Sequence, residues 1–247
     1  MKKVIAIIPA RYASTRLEGK PLKAIGGHPM IEWVYRRGVS AVGKAVVATD
    51  DERIAAAVRS FGGEVVLTRG SHLSGTSRCI EALEHIEAEH GERYDIVINL
   101  QGDEPFLDPH SVATLIAAFD DEGVEIATLV RPFQQGEEVS NPNAPKVVVD
   151  VQGRALYFSR SVVPYERNAV GYPYLKHIGI YAFRREALLR LPIASPSLLE
   201  RCEGLEQLSW LYYGFVVQTR EVTDESLSVD TPEDLERVRR QAAHEVF

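Results

Sequence analysis

The segment Val4-Ile5-Ala6-Ile7-Ile8 constrains the fold more than any other, because it offers no polar side to water. A strand that is apolar on both faces must be covered on both. That is the condition of a central strand in a parallel sheet layered between helices. Pro9 ends the run too soon for it to be the apolar core of a signal peptide. No stretch approaches the roughly 20 apolar residues that cross a bilayer, so no membrane insertion is expected.

Strand-like and helix-like patterns then alternate along the chain. Pro29 predicts a helix that presents Met30, Val34 and Arg37 on one face, and Ala45 to Ala48 reads as the second strand. Thr49-Asp50-Asp51 starts a helix with Ile54, Val58 and Phe61 at i, i+4 and i+7, closed by Gly62-Gly63. Glu64 to Leu67 is the third strand, and Ser74-Gly75-Thr76 leads a helix with Cys79, Leu83 and Ile86 inward. Asp95 to Leu100 is the fourth strand. Asp108 caps the next helix, with Pro109 at its first position and Val112, Leu115, Ile116 and Phe119 as the core stripe. This series predicts an α/β fold: a mostly parallel central sheet with helices on both faces.

Beyond Glu125 the pattern changes. Short strands at Ile126 to Val130, Lys146 to Val149, Ala155 to Phe158 and His177 to Phe183 predict a β-rich insert at about 126–183. A helix is expected from about Leu198 to Tyr213, carrying Cys202, Leu205, Leu208 and Tyr212. Thr231-Pro232-Glu233-Asp234 begins the last helix, with a cap, Pro at its first position and early acids. No flexible linker or repeat divides the chain, so 1–247 reads as a single domain.

The net charge of −7 argues against a nucleic-acid partner, which needs a broad basic surface. Cys79 and Cys202 are isolated and predict reduced core residues of a cytoplasmic protein.

Three segments carry candidate chemistry. Pro9-Ala10-Arg11-Tyr12-Ala13-Ser14-Thr15-Arg16-Leu17-Glu18-Gly19-Lys20-Pro21 follows the first strand, at the sheet edge where open α/β folds bind ligands. Its Arg11, Arg16 and Lys20 suit a polyphosphate, although the loop is neither a Walker A motif nor G-x-G-x-x-G. Leu100-Gln101-Gly102-Asp103-Glu104-Pro105 brings an acid to the same edge, and an acid facing a basic phosphate loop is what a bridging Mg²⁺ requires. Alternatively, it is a turn into the Asp108 helix. Asp230, one position before the cap Thr231, is a candidate second metal ligand.

Together with Ala48-Thr49-Asp50-Asp51, Ser74-Gly75-Thr76, Asn141 to Val148, Ala155 to Arg160, Lys176 to Tyr181, Leu205 to Leu208 and Val229 to Val238, these segments resemble the motifs of the 3-deoxy-manno-octulosonate cytidylyltransferases, or CMP-Kdo synthetases. The motifs run in order over nearly the whole chain. Glu18 departs from them, standing where the family usually has Pro. CMP-sialate synthetases share the general loop but differ after Ala10.

The resemblance implies a Rossmann-like nucleotidyltransferase fold. It also implies transfer of CMP from CTP to the anomeric hydroxyl of Kdo, an acidic eight-carbon sugar, with release of pyrophosphate, in lipopolysaccharide biosynthesis. It places Arg11, Arg16 and Lys20 on the triphosphate and Ser74 and Gly75 against the cytosine. Asp103 and Asp230 would hold Mg²⁺, so Lys20, Asp103 and Asp230 form the catalytic set. Gln101, Arg160, His177, Tyr181, Glu206 and Gln207 would hold the sugar, with Arg160 as a bidentate partner of its carboxylate. A homodimer is implied as well. Rival readings are the same reaction on the 8-amino analogue of Kdo, a metal-dependent glycosyltransferase, and a non-catalytic nucleotide-binding regulator.

Overall fold

A computed structural model describes residues 2–13, 17–223 and 227–242. The chain divides into two compact units, Met1–Val112 with Ser226–Phe247, and Ala113–Glu225.

In the first unit β1 (Val4–Ala10) buries Ile5, Ile7 and Ile8 completely. A hairpin of β2 (Ala24–Ile25) and β3 (His28–Pro29) leads into α1 (Met30–Val42), then β4 (Ala45–Thr49) and α2 (Glu52–Ser60). Next come β5 (Val65–Leu67), α3 (Gly75–His90) and β6 (Ile96–Asn99). The strands run parallel in the order β5-β4-β1-β6, which puts the wholly apolar β1 between two neighbours. Helices α1 and α3 pack on β1 and β4, and α2 packs on β4 and β5. The caps are the local ones: the Asp51 carboxylate accepts from the Arg53 N–H, and the Ser74 hydroxyl from the Ser77 N–H.

Helix α4 (Pro109–Ala117) follows Asp108, whose carboxylate accepts from the His110 N–H at 3.0 Å. The second unit holds β7 (Ile126–Pro132), β8 (Lys146–Val149), β9 (Ala155–Ser159) and β10 (Leu175–Arg184). It continues with α5 (Arg185–Arg190), α6 (Leu198–Glu203), α7 (Gln207–Tyr212) and β11 (Val217–Glu221). Here the sheet is mixed. β10 lies antiparallel to β7 and β8, β9 antiparallel to β8, and β11 parallel to β7. A bulge interrupts β10 between Ile178 and Tyr181.

The chain then returns to the first unit as α8 (Pro232–Ala242). Val229, Leu235 and Val238 close a core made by Leu17, Ile25, Met30, Trp33 and Phe106.

Two expectations need correction, and one element is new. The single helix expected from Leu198 to Tyr213 is two, α6 and α7, because Gly204 takes a left-handed conformation (φ 62°) and ends α6. Cys202 is exposed rather than core, since α6 buries none of its residues, whereas Cys79 is buried as expected; both are free thiols. Strand β11 was not foreseen in the sequence pattern.

Candidate active site

The phosphate-loop candidate leaves β1 at Ala10, and its far end returns through Gly19 to a 3-10 turn at Lys20–Leu22. That turn holds Lys20 with its side chain mostly covered. Its ammonium lies 2.7 Å from Asp103 Oδ2 and 3.3 Å from Asp230 Oδ1. The two carboxylates come from residues 127 positions apart (230 minus 103) and meet at one cation. A backbone bond from the Val229 N–H to the Asp103 carbonyl (2.9 Å) ties their two segments together.

Asp230 is held by the start of α8. Asp234 accepts from the backbone N–H groups of Asp230 (3.2 Å) and Thr231 (3.0 Å) and from the Thr231 hydroxyl (2.9 Å), while its own N–H reaches back to that hydroxyl. This is a capping box with Asp in place of Glu. Burial works against the Asp234 charge, but the Thr231 hydroxyl and the two N–H groups outweigh it and hold the carboxyl below its ordinary range.

These groups open onto a cavity of about 300 Å³ whose walls include Arg11, Lys20, Ser74, Gly75, Gln101 and Asp103. The approach of the β1 and β6 edges depends on Gly102. A Cβ there would stand 3.1 Å from the Pro9 carbonyl oxygen, tighter than backbone tolerates without moving. Arg16 lies outside the described residues.

His72 and Arg78 also line this cavity, and neither stood out in the sequence. Arg78 is buried, its Nη1 2.6 Å from Thr68 Oγ1 and 3.1 Å from Asp50 Oδ1. The available signal was its position one helical turn beyond Ser74, which aims it at the same loop.

Of the six sequence-predicted sugar residues Gln101 belongs to the first unit, and the other five fall in three places in the second. Arg160 follows β9, and its guanidinium donates to the backbone carbonyls of Glu203 (2.6 Å), Pro142 (2.8 Å) and Gly204 (3.3 Å). Of its five N–H groups, one on each terminal nitrogen is left over among the described residues. His177 and Tyr181 flank the β10 bulge with ring centroids 5.3 Å apart. Burial holds the His177 imidazole down to about 3 and pushes the Tyr181 phenol up. Thr128 Oγ1 sits 2.7 Å from the Ile180 carbonyl and 3.0 Å from His177 Nε2. Its one proton goes to the carbonyl, so His177 Nε2 donates and Nδ1 is an acceptor. Glu206 and Gln207 open α7. Among the described residues Tyr181 Oη and Gln207 Nε2 are both buried without a hydrogen-bond partner, a costly state that a polar ligand would relieve.

The donor set at the edge fits the proposed metal. Mg²⁺ takes one or two carboxylates and completes its shell with phosphate oxygens and water. Asp103 and Asp230 are two hard-oxygen donors that already converge on a cation. No helix among the described residues is long and apolar enough to cross a membrane.

The chain matches the family model described as "Cytidylyltransferase" over residues 5–223. It is 45% identical over 247 residues to 3-deoxy-manno-octulosonate cytidylyltransferase of Parabacteroides distasonis, covering 96% of this chain and 97% of that one. It is 46% identical over 249 residues to the protein of the same name from Escherichia coli, covering 100% and 98%. A solved CMP:2-keto-3-deoxy-manno-octonic acid synthetase, complexed with CTP, superposes with a TM-score of 0.91 at 45% identity, covering 99% of this chain and 100% of that one. A thymidylyltransferase structure from Bacillus anthracis shares the fold at a TM-score of 0.64 and 18% identity.

Proposed function

The chain belongs to the 3-deoxy-manno-octulosonate cytidylyltransferases, and from that premise we propose how its own residues divide the work of moving CMP from CTP to Kdo. The observation that carries the reading is the convergence of Lys20, Asp103 and Asp230 at the mouth of a cavity walled by Arg11, Ser74 and Gly75.

The anomeric hydroxyl of the sugar attacks the α-phosphorus of CTP and releases its proton to water. The bond to the bridging oxygen of the β-phosphate breaks, and pyrophosphate leaves with the electron pair. No side chain need be a nucleophile, so positioning and charge neutralisation supply the catalysis. Arg11, Arg16 and Lys20 bind the triphosphate, and Ser74 and Gly75 bring backbone close to the cytosine. Asp103 and Asp230 would hold Mg²⁺, which would supply charge neutralisation and Lewis acidity beside the triphosphate. Lys20 neutralises the two carboxylates and would share its charge with the triphosphate.

Gln101, Arg160, His177, Tyr181, Glu206 and Gln207 bind the sugar. The buried Tyr181 Oη and Gln207 Nε2 support this reading. Neutral His177 serves as a hydrogen-bonding group, and the two remaining N–H groups of Arg160 are available to the carboxylate. The enzyme works in the cytoplasm, in lipopolysaccharide biosynthesis, as a homodimer.

The test is pyrophosphate release from CTP with and without Kdo, with the 8-amino analogue as a parallel substrate. Sugar-dependent release that stops on chelation of Mg²⁺ and returns when it is restored supports the assignment. Release without sugar, or none with either sugar, defeats it. Asp103→Asn should keep the fold and abolish turnover; near-normal activity would remove Asp103 from the metal site. The double variant with Asp230→Asn should lose little more than either alone, because both act on one cluster.

A further inference from the structure

The wall of the nucleotide cavity that carries His72, Leu73 and Ser74 belongs to the seven-residue segment Thr68–Ser74, between β5 and α3. It has no secondary structure to fix its shape. Its ends are tied by Thr68 to Thr49 and Arg78 and by the Ser74 cap, and its middle is held by a carboxylate on α3. Glu81 is buried, its side chain 8% exposed, and it accepts from three donors of this one segment. They are the Arg69 backbone N–H at 3.0 Å, Arg69 Nε at 2.9 Å and His72 Nε2 at 2.5 Å.

The contacts continue from His72 to the cavity. Its Nδ1 lies 3.1 Å from Ser77 Oγ, and Ser77 Oγ donates to the Ser74 carbonyl at 2.9 Å. The Ser77 N–H donates to Ser74 Oγ at 3.1 Å. An ionised Glu81 only accepts, so His72 must present Nε2–H to it, and the single Ser77 hydroxyl proton serves either the Ser74 carbonyl or His72 Nδ1. Burial alone would raise the Glu81 carboxyl, but Arg69 and His72 together hold it at about 2, so it is charged at any working pH. A buried carboxylate is an expensive way to pack a helix against a loop, and a leucine would bury more apolar surface. The three donors make sense if the shape of the loop is what matters.

We propose that Glu81 is a positioning residue for nucleotide recognition: it sets the Thr68–Ser74 wall through Arg69 and His72, and so places Ser74 and Gly75 against the base. This rests on the reading that CTP occupies the cavity. Direct calorimetric binding of CTP to the wild-type protein tests that reading separately. If wild type binds no CTP, the reading fails whatever Glu81 does.

With wild-type binding established, Glu81→Gln is the test. Glutamine keeps the volume but cannot accept from all three donors. We expect the CTP Kd and KM to rise about tenfold, with kcat and the sugar KM within about twofold of wild type. His72→Gln, which leaves the helix intact, should raise the CTP KM in the same direction. The double variant should show no more than the Glu81→Gln effect, because both lie on one chain of contacts. An unchanged CTP KM in Glu81→Gln overturns the proposal. So does a parallel loss of kcat, sugar KM, CTP KM and melting temperature, which marks a purely structural role. If Glu81→Gln does not fold, a His72→Gln protein with unchanged CTP affinity overturns it equally.

Discussion

His177 is enclosed by Phe158 and Tyr181, with ring centroids 4.9 and 5.3 Å away, and its imidazole stays neutral down to a pKa of about 3. In the unfolded chain the same group titrates near 6.5. Between those values the unfolded state holds the extra proton, so stability rises with pH through this window. The contribution is complete above 6.5 and is lost as pH falls toward 3. On moving from pH 7 to pH 5, His177 should account for a loss of about 2 kcal/mol. Urea unfolding of wild type and His177→Asn at the two pH values checks this. The variant should show a smaller drop, and an equal drop would mean that His177 titrates normally in the folded protein. Glu81 acts in a lower window. Its stabilisation is present above about 4.5 and is lost as pH falls through about 2.

At the scale of elements, the most exposed dependence is the start of α8, where Thr231 and Asp234 cap each other and leave Asp230 facing Lys20. Thr231→Ala should cost about 1 kcal/mol, read as a lower urea midpoint at unchanged m-value. A change in m would mean that the cap alters the extent of the folded state instead. This cap was legible in the sequence because its signal is local: Thr, Pro and acids at fixed offsets before an apolar stripe. The central strand β1 was legible for the same reason. Strand β11 was not, because its Gln218 and Thr219 are polar yet largely buried. The Gln218 amide and the Thr219 hydroxyl both donate to the Gly153 carbonyl, at 3.0 and 2.8 Å, a partner 65 residues away for Gln218. No periodicity reports such a partner. Likewise Gly204 breaks the predicted helix where Arg160 grips the carbonyls of Glu203 and Gly204, and His72 and Arg78 gain their place only once the β5–α3 segment is folded over α3.

On the scale of the molecule, the first unit is built from two stretches of chain separated by the whole of the second. Trp33 is buried against Phe106, ring centroids 5.2 Å apart, in the core that Val229, Leu235 and Val238 close. A chain stopped after Ser226 should therefore show red-shifted tryptophan emission and no sugar-dependent pyrophosphate release. Unshifted emission would mean that the core closes without α8. The fold-level family was legible in the order of motifs along the chain, whereas the meeting of Asp103 and Asp230 follows from topology. That meeting also has a history in time. During translation Asp103 leaves the ribosome long before Asp230, on the order of ten seconds earlier at about 5–20 residues per second. Throughout that interval Lys20 has one carboxylate partner instead of two, and Leu17, Ile25, Met30 and Trp33 lack their cover. The growing chain is thus open to chaperones and proteases at that core, and Asp230 arrives with the helix that seals it.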